Sequence, residues 1–208
     1  TADWVPEVVG GFAIAYDGLT KIHEARAGAK SNPTLTEAAQ VLVVADYAQK
    51  QFKKIAGQFD NALARLNTAI ADGERRLRLP LDGASIGGWT SEIRAHVRSL
   101  SPTDRRVFLN DVVAANDTKS LAAVLGAPSF LSGLSRIEHE DYTRKYHERN
   151  NPQLAVRLTV MKSAQALIYE RSGLVHSEIE KAVGVNSTHV ANLRAARDKA
   201  AKAYTFTA

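Results

Sequence analysis

The stretch LVVADYAQKQFKKIAGQFDNALARLNTAIADGERRL, residues 42–77, decides the fold. Its apolar positions recur in alternating steps of three and four residues over five heptads, which is the spacing of a coiled-coil seam. The seam consists of Leu42, Ala45, Phe52, Ala56, Phe59, Leu63, Leu66, Ile70 and Leu77, with Gln49 and Gly73 at its two least apolar positions. No proline interrupts the stretch. The pattern therefore predicts one helix from about residue 35 to residue 77, roughly 65 Å long at 1.5 Å per residue.

A helix of this length cannot bury its apolar stripe alone, so the seam residues are candidate protein-interface residues. Two arrangements are open. The stripe packs either against another helix of the same chain, such as one predicted from about Phe12 to Ala29, or against a second copy in an oligomeric coiled coil. Residues 1–11 contain Pro6 and the pair Gly10-Gly11, which predicts an extended arm.

Punctuation residues divide the rest of the chain. Asn32-Pro33 breaks the chain before the long helix, and Thr34 with Glu37 has the spacing of a capping box. Residues 78–90 contain one proline and three glycines, which predicts a linker. The predicted organisation is an N-terminal arm and long coiled-coil helical region (1–77), a linker (78–90) and a helical C-terminal domain (91–208).

The segment after the predicted linker has the start and stop signals of several shorter helices. Ser101 followed by Pro102 marks one start, and Asp117 is a candidate cap for the next helix. Further helices are predicted from about residue 136 to 148 and from residue 152 to about 172. No stretch alternates with period two, so the predicted fold class is all-α, with a long coiled-coil-like helix or helical hairpin plus a smaller helical bundle.

Composition narrows the function classes. The chain is 45% apolar and 24% charged, which is typical of a soluble globular protein. It has no cysteine, which excludes disulfides and thiolate chemistry. There is no run of 18 apolar residues and no signal-peptide pattern, so we expect neither a membrane span nor secretion.

One charged stretch, IEHEDYTRKYHERN, superficially suggests a metal site. His139 and His147 would lie on one helix face but about 12 Å apart, too far to bind one ion together. Glu140 and Asp141 belong to an alternating charge pattern typical of a solvated helix face. The chain also has no P-loop, Gly-x-Ser-x-Gly or His-Glu-x-x-His motif. We therefore expect no enzyme activity, no cofactor and no metal.

The stretch SEIEKAVGVNSTHVANLRAAR, Ser177 to Arg197, resembles a DNA-binding helix-turn-helix. Gly184 in the turn is followed at the family's spacing by Val190 and Leu193. The resemblance implies DNA contacts from Asn186, Ser187, Thr188, His189, Asn192, Arg194 and Arg197. Glu180 departs from the family, which favours a small residue there, and a net charge of +5 is modest for a DNA reader. The alternative is an ordinary helical hairpin.

Two further stretches, KSNPTLTEAAQ (30–40) and SEIRAHVRSLSPTDRRVFLNDVVAANDTKSLAAVLGAPSFLSGL (91–134), resemble small helical proteins encoded among bacteriophage structural genes, near those of capsid and portal. The resemblance implies a non-enzymatic virion component, located in the virion or host cytoplasm. The implied partners are other protein subunits, as a homo-oligomer or as capsid and portal-type proteins. DNA binding through the C-terminal helix-turn-helix is the alternative function, with nucleic acid as a secondary partner.

Overall fold

The structure, a computed structural model, describes residues 4–81 and 88–203. Within these ranges the regular structure is helical, which confirms the all-α prediction. The helices are α1 (Val5–Lys30), α2 (Glu37–Arg76), α3 (Thr90–Ser99), α4 (Pro102–Ala114), α5 (Thr118–Leu125), α6 (Arg136–Asn150), α7 (Pro152–Val183) and α8 (Ser187–Lys202), with a short 3-10 helix at Ser129–Ser132. No helix of these ranges has the length and apolarity needed to cross a membrane.

The first helix begins earlier than predicted. α1 starts at Val5, so the extended arm predicted for residues 1–11 is wrong from Val5 onward, and residues 1–3 lie outside the described ranges. Pro6 is tolerated because the first turn of a helix needs no N–H from it. Gly11 lies inside the helix, where a Cβ would be 3.3 Å from the Phe59 ring, so the absence of a side chain allows α1 to pack closely against Phe59. Gly11 therefore marks close helix packing and not a break, whereas a Cβ at Gly10 would meet no atom within 4 Å.

The start of α2 differs in its cap. The Thr36 hydroxyl, and not that of Thr34, accepts a hydrogen bond from the Ala39 N–H at 3.3 Å. The N–H and hydroxyl of Thr34 instead donate to the Asn32 side chain at 2.9 and 2.7 Å, which stabilises the turn before the helix. The predicted Thr34 capping box is therefore wrong.

The C-terminal helices also differ from the prediction. The prediction that this helix ends near residue 172 is wrong, because α7 is 32 residues long and ends at Val183. Gly173 lies in its interior at an open position, where a Cβ would have no other atom within 4 Å. The buried residues Ile168, Val175 and Ile179 continue one face through this point, which explains why the helix does not stop. The first helix of the predicted helix-turn-helix is therefore the last part of a long helix.

The chain divides into two compact units at points inside α2 and α7. Unit 1 contains the described residues up to Asn67 and from Ser163 onward, and unit 2 runs from Thr68 to Lys162. This differs from the predicted boundary at 78–90, of which residues 82–87 lie outside the described ranges. Leu77 and Leu81, just after the end of α2, are buried in unit 2.

Unit 2 packs short helices around one apolar cluster. Its buried members are Leu81, Val97, Leu109, Val112, Leu121, Val124, Leu125, Leu134 and Tyr142. The caps predicted at the starts of α4 and α5 are confirmed, because Ser101 accepts from the Asp104 N–H and Asp117 accepts from the Ser120 N–H. Short helices have little stability of their own, so this cluster and the caps hold them in place.

In unit 1, α1 and α7 both pack along α2, and each runs antiparallel to it. Phe12 meets Phe59 edge to face, with ring centroids 5.1 Å apart, and Glu7 near the start of α1 pairs with Arg65 farther along α2. On the α7 side, Phe52 meets His176 at 6.1 Å. Partners of α2 are thus present within the chain itself.

Candidate functional site

The predicted seam lies on part of a broader buried face of α2. Of its nine apolar residues, five are buried: Leu42, Ala45, Phe59, Leu66 and Leu77. Ala56, Leu63 and Ile70 are half-buried, and Phe52 is 37% exposed. The helix also buries Val44, Ala48, Ile55 and Ala62, which lie off the seam. A wider buried face is expected for a helix that packs against more than one other helix.

A groove of about 280 Å³ lies in unit 1 between α2, α7 and α8. Its apolar lining includes Ala45, Ala48, Ile179, Val183, Val190 and Ala191, and its polar lining includes Gln49, His176, Glu180 and Arg194. The Arg194 guanidinium pairs with Asp46 at 2.5 Å, and the Glu180 carboxylate accepts from the Ser187 N–H at 2.8 Å. The charges beside the groove are therefore engaged within the chain, and the residues of its apolar floor are buried.

Glu180, the residue that departs from the helix-turn-helix pattern, has a structural role. Its carboxylate lies at the N-terminus of α8, where free backbone N–H groups and the helix dipole favour a negative charge. The hydrogen bond from the Ser187 N–H holds the pKa of Glu180 below its usual value. The Glu180 side chain therefore connects α7 to α8 and does not force the two helices apart. The family's preference for a small residue at this position gave no indication of this role.

The structure assigns several predicted DNA-contact residues to contacts within the chain. Asn186 caps α8 by accepting from the His189 N–H at 2.8 Å. Arg194 pairs with Asp46, and Arg197 pairs with Asp198 at 3.1 Å. Among the remaining predicted contacts, the backbone of Ser187 is bound to Glu180, whereas Thr188, His189 and Asn192 have exposed side chains.

The two histidines of the charged stretch on α6 lie within hydrogen-bond distance of backbone carbonyl oxygens. The His139 ring nitrogen Nε2 lies 3.0 Å from the Leu125 carbonyl oxygen and 3.2 Å from that of Ala127, at the end of α5. His147 Nε2 lies 2.8 Å from the Leu79 carbonyl oxygen. In residues 4–81 and 88–203, no three histidine, aspartate or glutamate side chains form a group that could hold a metal ion.

Three arginines in unit 2 also bind backbone carbonyls, a role that the sequence did not predict. Arg94 donates to the Ala123 carbonyl at 3.1 Å and Arg149 donates to the Ala114 carbonyl at 2.6 Å, both near helix C-termini. Arg105 donates to four carbonyls, those of Val97, Arg98, Leu100 and Gly133. Carbonyls at helix ends have no partner inside the helix, and cations there also match the dipole. Part of the positive charge thus stabilises the fold.

Large apolar side chains remain exposed on α7. In unit 1 these include Leu167, 42% exposed, and Leu174, 49% exposed. Residues seven apart lie on nearly the same side of a helix, so the two leucines form a short apolar strip facing away from the α2 contacts.

No protein-family model, curated protein sequence or solved structure matches the chain.

Proposed function

We propose that this chain is a non-enzymatic assembly protein of a bacteriophage particle, which binds other structural subunits through its helical surfaces. The observation that carries the proposal is the strip formed by Leu167 and Leu174. Burial of apolar side chains that are exposed on one face of a helix favours binding of a partner by about 25 cal/mol per Å² of area buried. The resemblance of residues 30–40 and 91–134 to phage structural-type proteins supports the identity of the partners.

Repetition on a symmetric particle suits a surface of this kind. A single strip is small, but many copies that each bind a capsid or portal subunit create many equivalent contacts. Helices supply such contacts without needing a catalytic pocket. The proposed partners are therefore capsid or portal-type proteins, with further copies of the chain itself as a second contact.

The experiment measures binding of the purified chain to the purified capsid and portal proteins of the same genome, by biolayer interferometry. Leu167→Glu should weaken binding at least about tenfold, because it removes an apolar contact and buries a charge. The matched control is Val43→Glu on α2, since Val43 is similarly exposed. The proposal is contradicted if neither protein binds, or if Leu167→Glu and Val43→Glu bind alike.

DNA binding is the second candidate, and the observation favouring it is the outward side of α8. Thr188, Asn192 and Lys199 are exposed there, and residues of these types contact bases and phosphates in DNA complexes. A DNA reader should bind duplex with an affinity that falls steeply with salt, and Lys199→Ala should reduce that salt dependence. Fluorescence anisotropy with random and phage-genome duplexes measures this, and weak, salt-insensitive binding would eliminate the candidate.

A further inference from the structure

α8 is held to the rest of unit 1 by very little apolar contact. Of its 16 residues, only Val190 is buried, whereas α1 buries six of its 26 residues. Leu193 and Arg194 are half-buried, and the residues from Ala195 to Ala203 are exposed. The apolar contact that docks α8 is therefore small, and it comes mainly from Val190 with a partial contribution from Leu193.

The space beneath α8 is poorly filled. The groove of about 280 Å³ lies where Val190 and Ala191 of α8 face Ala45 and Ala48 of α2. The groove opens to solvent, and side chains that line it lose dispersion contacts on that side. The contact between α8 and α2 is thus weaker than its length suggests.

Polar contacts at the surface supply the remaining attachment. They include the Arg194–Asp46 ion pair, a hydrogen bond from Arg194 to the Gln49 side chain at 3.4 Å, and the bond from the Ser187 N–H to Glu180. The Asp46 side chain is 50% exposed, so water can replace its partner at little cost. These contacts fix the direction of α8 without holding it strongly.

The connection to α7 is a three-residue turn, residues 184–186. Gly184 has a φ of 89° and ends α7, where its N–H donates to the Glu180 carbonyl at 2.8 Å and the Arg26 guanidinium of α1 packs against it. Because Asn186 caps α8 from within this turn, the cap moves together with the helix and is kept when α8 leaves α2. An isolated helix of 16 residues is marginal in water, so a detached α8 would also fray rapidly.

We infer that α8 is a latch: it leaves α2 as a unit by pivoting at residues 184–186, while α1, α2 and α7 stay packed. Its release uncovers the apolar floor formed by Ala45, Ala48, Ile179 and Val183. Release of weakly packed segments with the core intact is the lowest-energy opening that folded proteins make. This inference concerns motion within unit 1 and stands whether or not the proposed phage function is correct.

Thiol labelling tests the latch directly, because the chain has no cysteine of its own. A single cysteine replacing Ala48 lies beneath α8, and one replacing Ala62 lies elsewhere on α2. Both alanines are almost fully buried, at 2% and 1% exposed. In the full-length chain without denaturant, Ala48→Cys should react with a thiol reagent at least about tenfold faster than Ala62→Cys. Equal labelling rates would overturn the inference.

A second change separates latch opening from a local defect caused by cysteine. Adding Val190→Ala to Ala48→Cys should raise the labelling rate about tenfold, because it removes the main apolar contact of α8. The control is Val43→Ala, which deletes the same atoms from an exposed site on α2 and should leave the rate unchanged. Hydrogen exchange provides the independent readout: amides of α8 should exchange faster than those of α2 between residues 45 and 66. Equal protection of the two segments, or no effect of Val190→Ala, would contradict the latch.

Discussion

Arg105→Ala should be among the most destabilising single changes in unit 2. The guanidinium reaches the carbonyls of Val97, Leu100 and Gly133 in partly buried positions and that of Arg98 in an exposed one. Gly133 has a φ of 70°, and a Cβ there would lie 3.0 Å from the Arg105 guanidinium, so the loop is shaped to receive this side chain.

The expected loss follows from these bonds. Each partly buried hydrogen bond contributes on the order of 1 kcal/mol, because water replaces the donor imperfectly in the variant. The exposed bond to Arg98 adds little. Arg105→Ala should therefore lower the free energy of unfolding by about 3 kcal/mol. Arg105→Lys keeps the charge but has a single amine that cannot reach all three carbonyls, so its loss should be about 2 kcal/mol.

Urea denaturation followed by circular dichroism measures the loss, and hydrogen exchange locates it. Amides of α3 and α4 should lose protection in Arg105→Ala. The matched control is Arg106→Ala, since Arg106 is exposed and donates to the Pro102 carbonyl of its own helix. Its effect should stay within about 0.5 kcal/mol. If Arg105→Ala is no less stable than Arg106→Ala, or if Arg105→Lys matches the original protein, the bonds to carbonyls contribute no net stability.

Three further outcomes are expected. Thr143→Val should raise the free energy of unfolding by about 1 kcal/mol in urea denaturation, because the buried Thr143 hydroxyl has no hydrogen-bond partner among the described residues, whereas Thr143→Ser should lower it. Gly173→Ala should stabilise α7 by about 0.5–1 kcal/mol, because the position is open. Gly73→Ala should destabilise the protein, because its Cβ would lie 2.6 Å from the Leu158 side chain. Equal melting temperatures of the two variants would contradict the close contact between Gly73 and Leu158. Lowering the pH below about 4 should destabilise unit 2. The hydrogen bond from the Ser135 backbone lowers the pKa of Glu138 in the folded protein. The stability that this bond contributes is therefore present above the pKa of Glu138 in the unfolded chain and is lost as the pH falls through the pKa in the folded protein. Melts of Glu138→Gln should show a weaker dependence on pH over this range, and an identical dependence would contradict this assignment.

The sequence predicted the long helix well because its evidence is periodic and local. Residues 42–77 have a continuous apolar stripe and no proline, a pattern that strongly favours a helix, and α2 runs from Glu37 to Arg76. The caps at Ser101 and Asp117 were also predictable, since each depends on a side chain and an N–H a few residues away.

Features that depend on tertiary contact were not predictable in this way. Gly11 was interpreted as a break, but it allows α1 to approach Phe59. The helix predicted to end near residue 172 instead continues past Gly173, because Ile168 and Val175 on either side of it are buried on one face of α7. Helix propensity of one glycine is worth only about 1 kcal/mol, which burial of two or three apolar side chains exceeds.

The candidate site was predictable only in part. Apolar spacing located the face of α2 that packs, but not which helices cover it. Arg105 and Arg149 count toward net charge in any sequence analysis, and only the folded chain brings them to distant carbonyls. A signal for the role of Glu180 was present: a carboxylate seven residues before the first residue of the following helix can reach that helix's free N–H groups when the turn is short.

The most direct test of the proposed function is quantitative mass spectrometry of purified phage particles and of their capsid assembly intermediates. The phage used should encode this chain beside its capsid and portal genes. The account predicts that the chain is present in one or both at a constant ratio to the portal or capsid protein, and that Leu167→Glu reduces that ratio while Val43→Glu does not. Absence of the chain from both particles and intermediates, with normal amounts free in the host, would contradict a role in particle assembly.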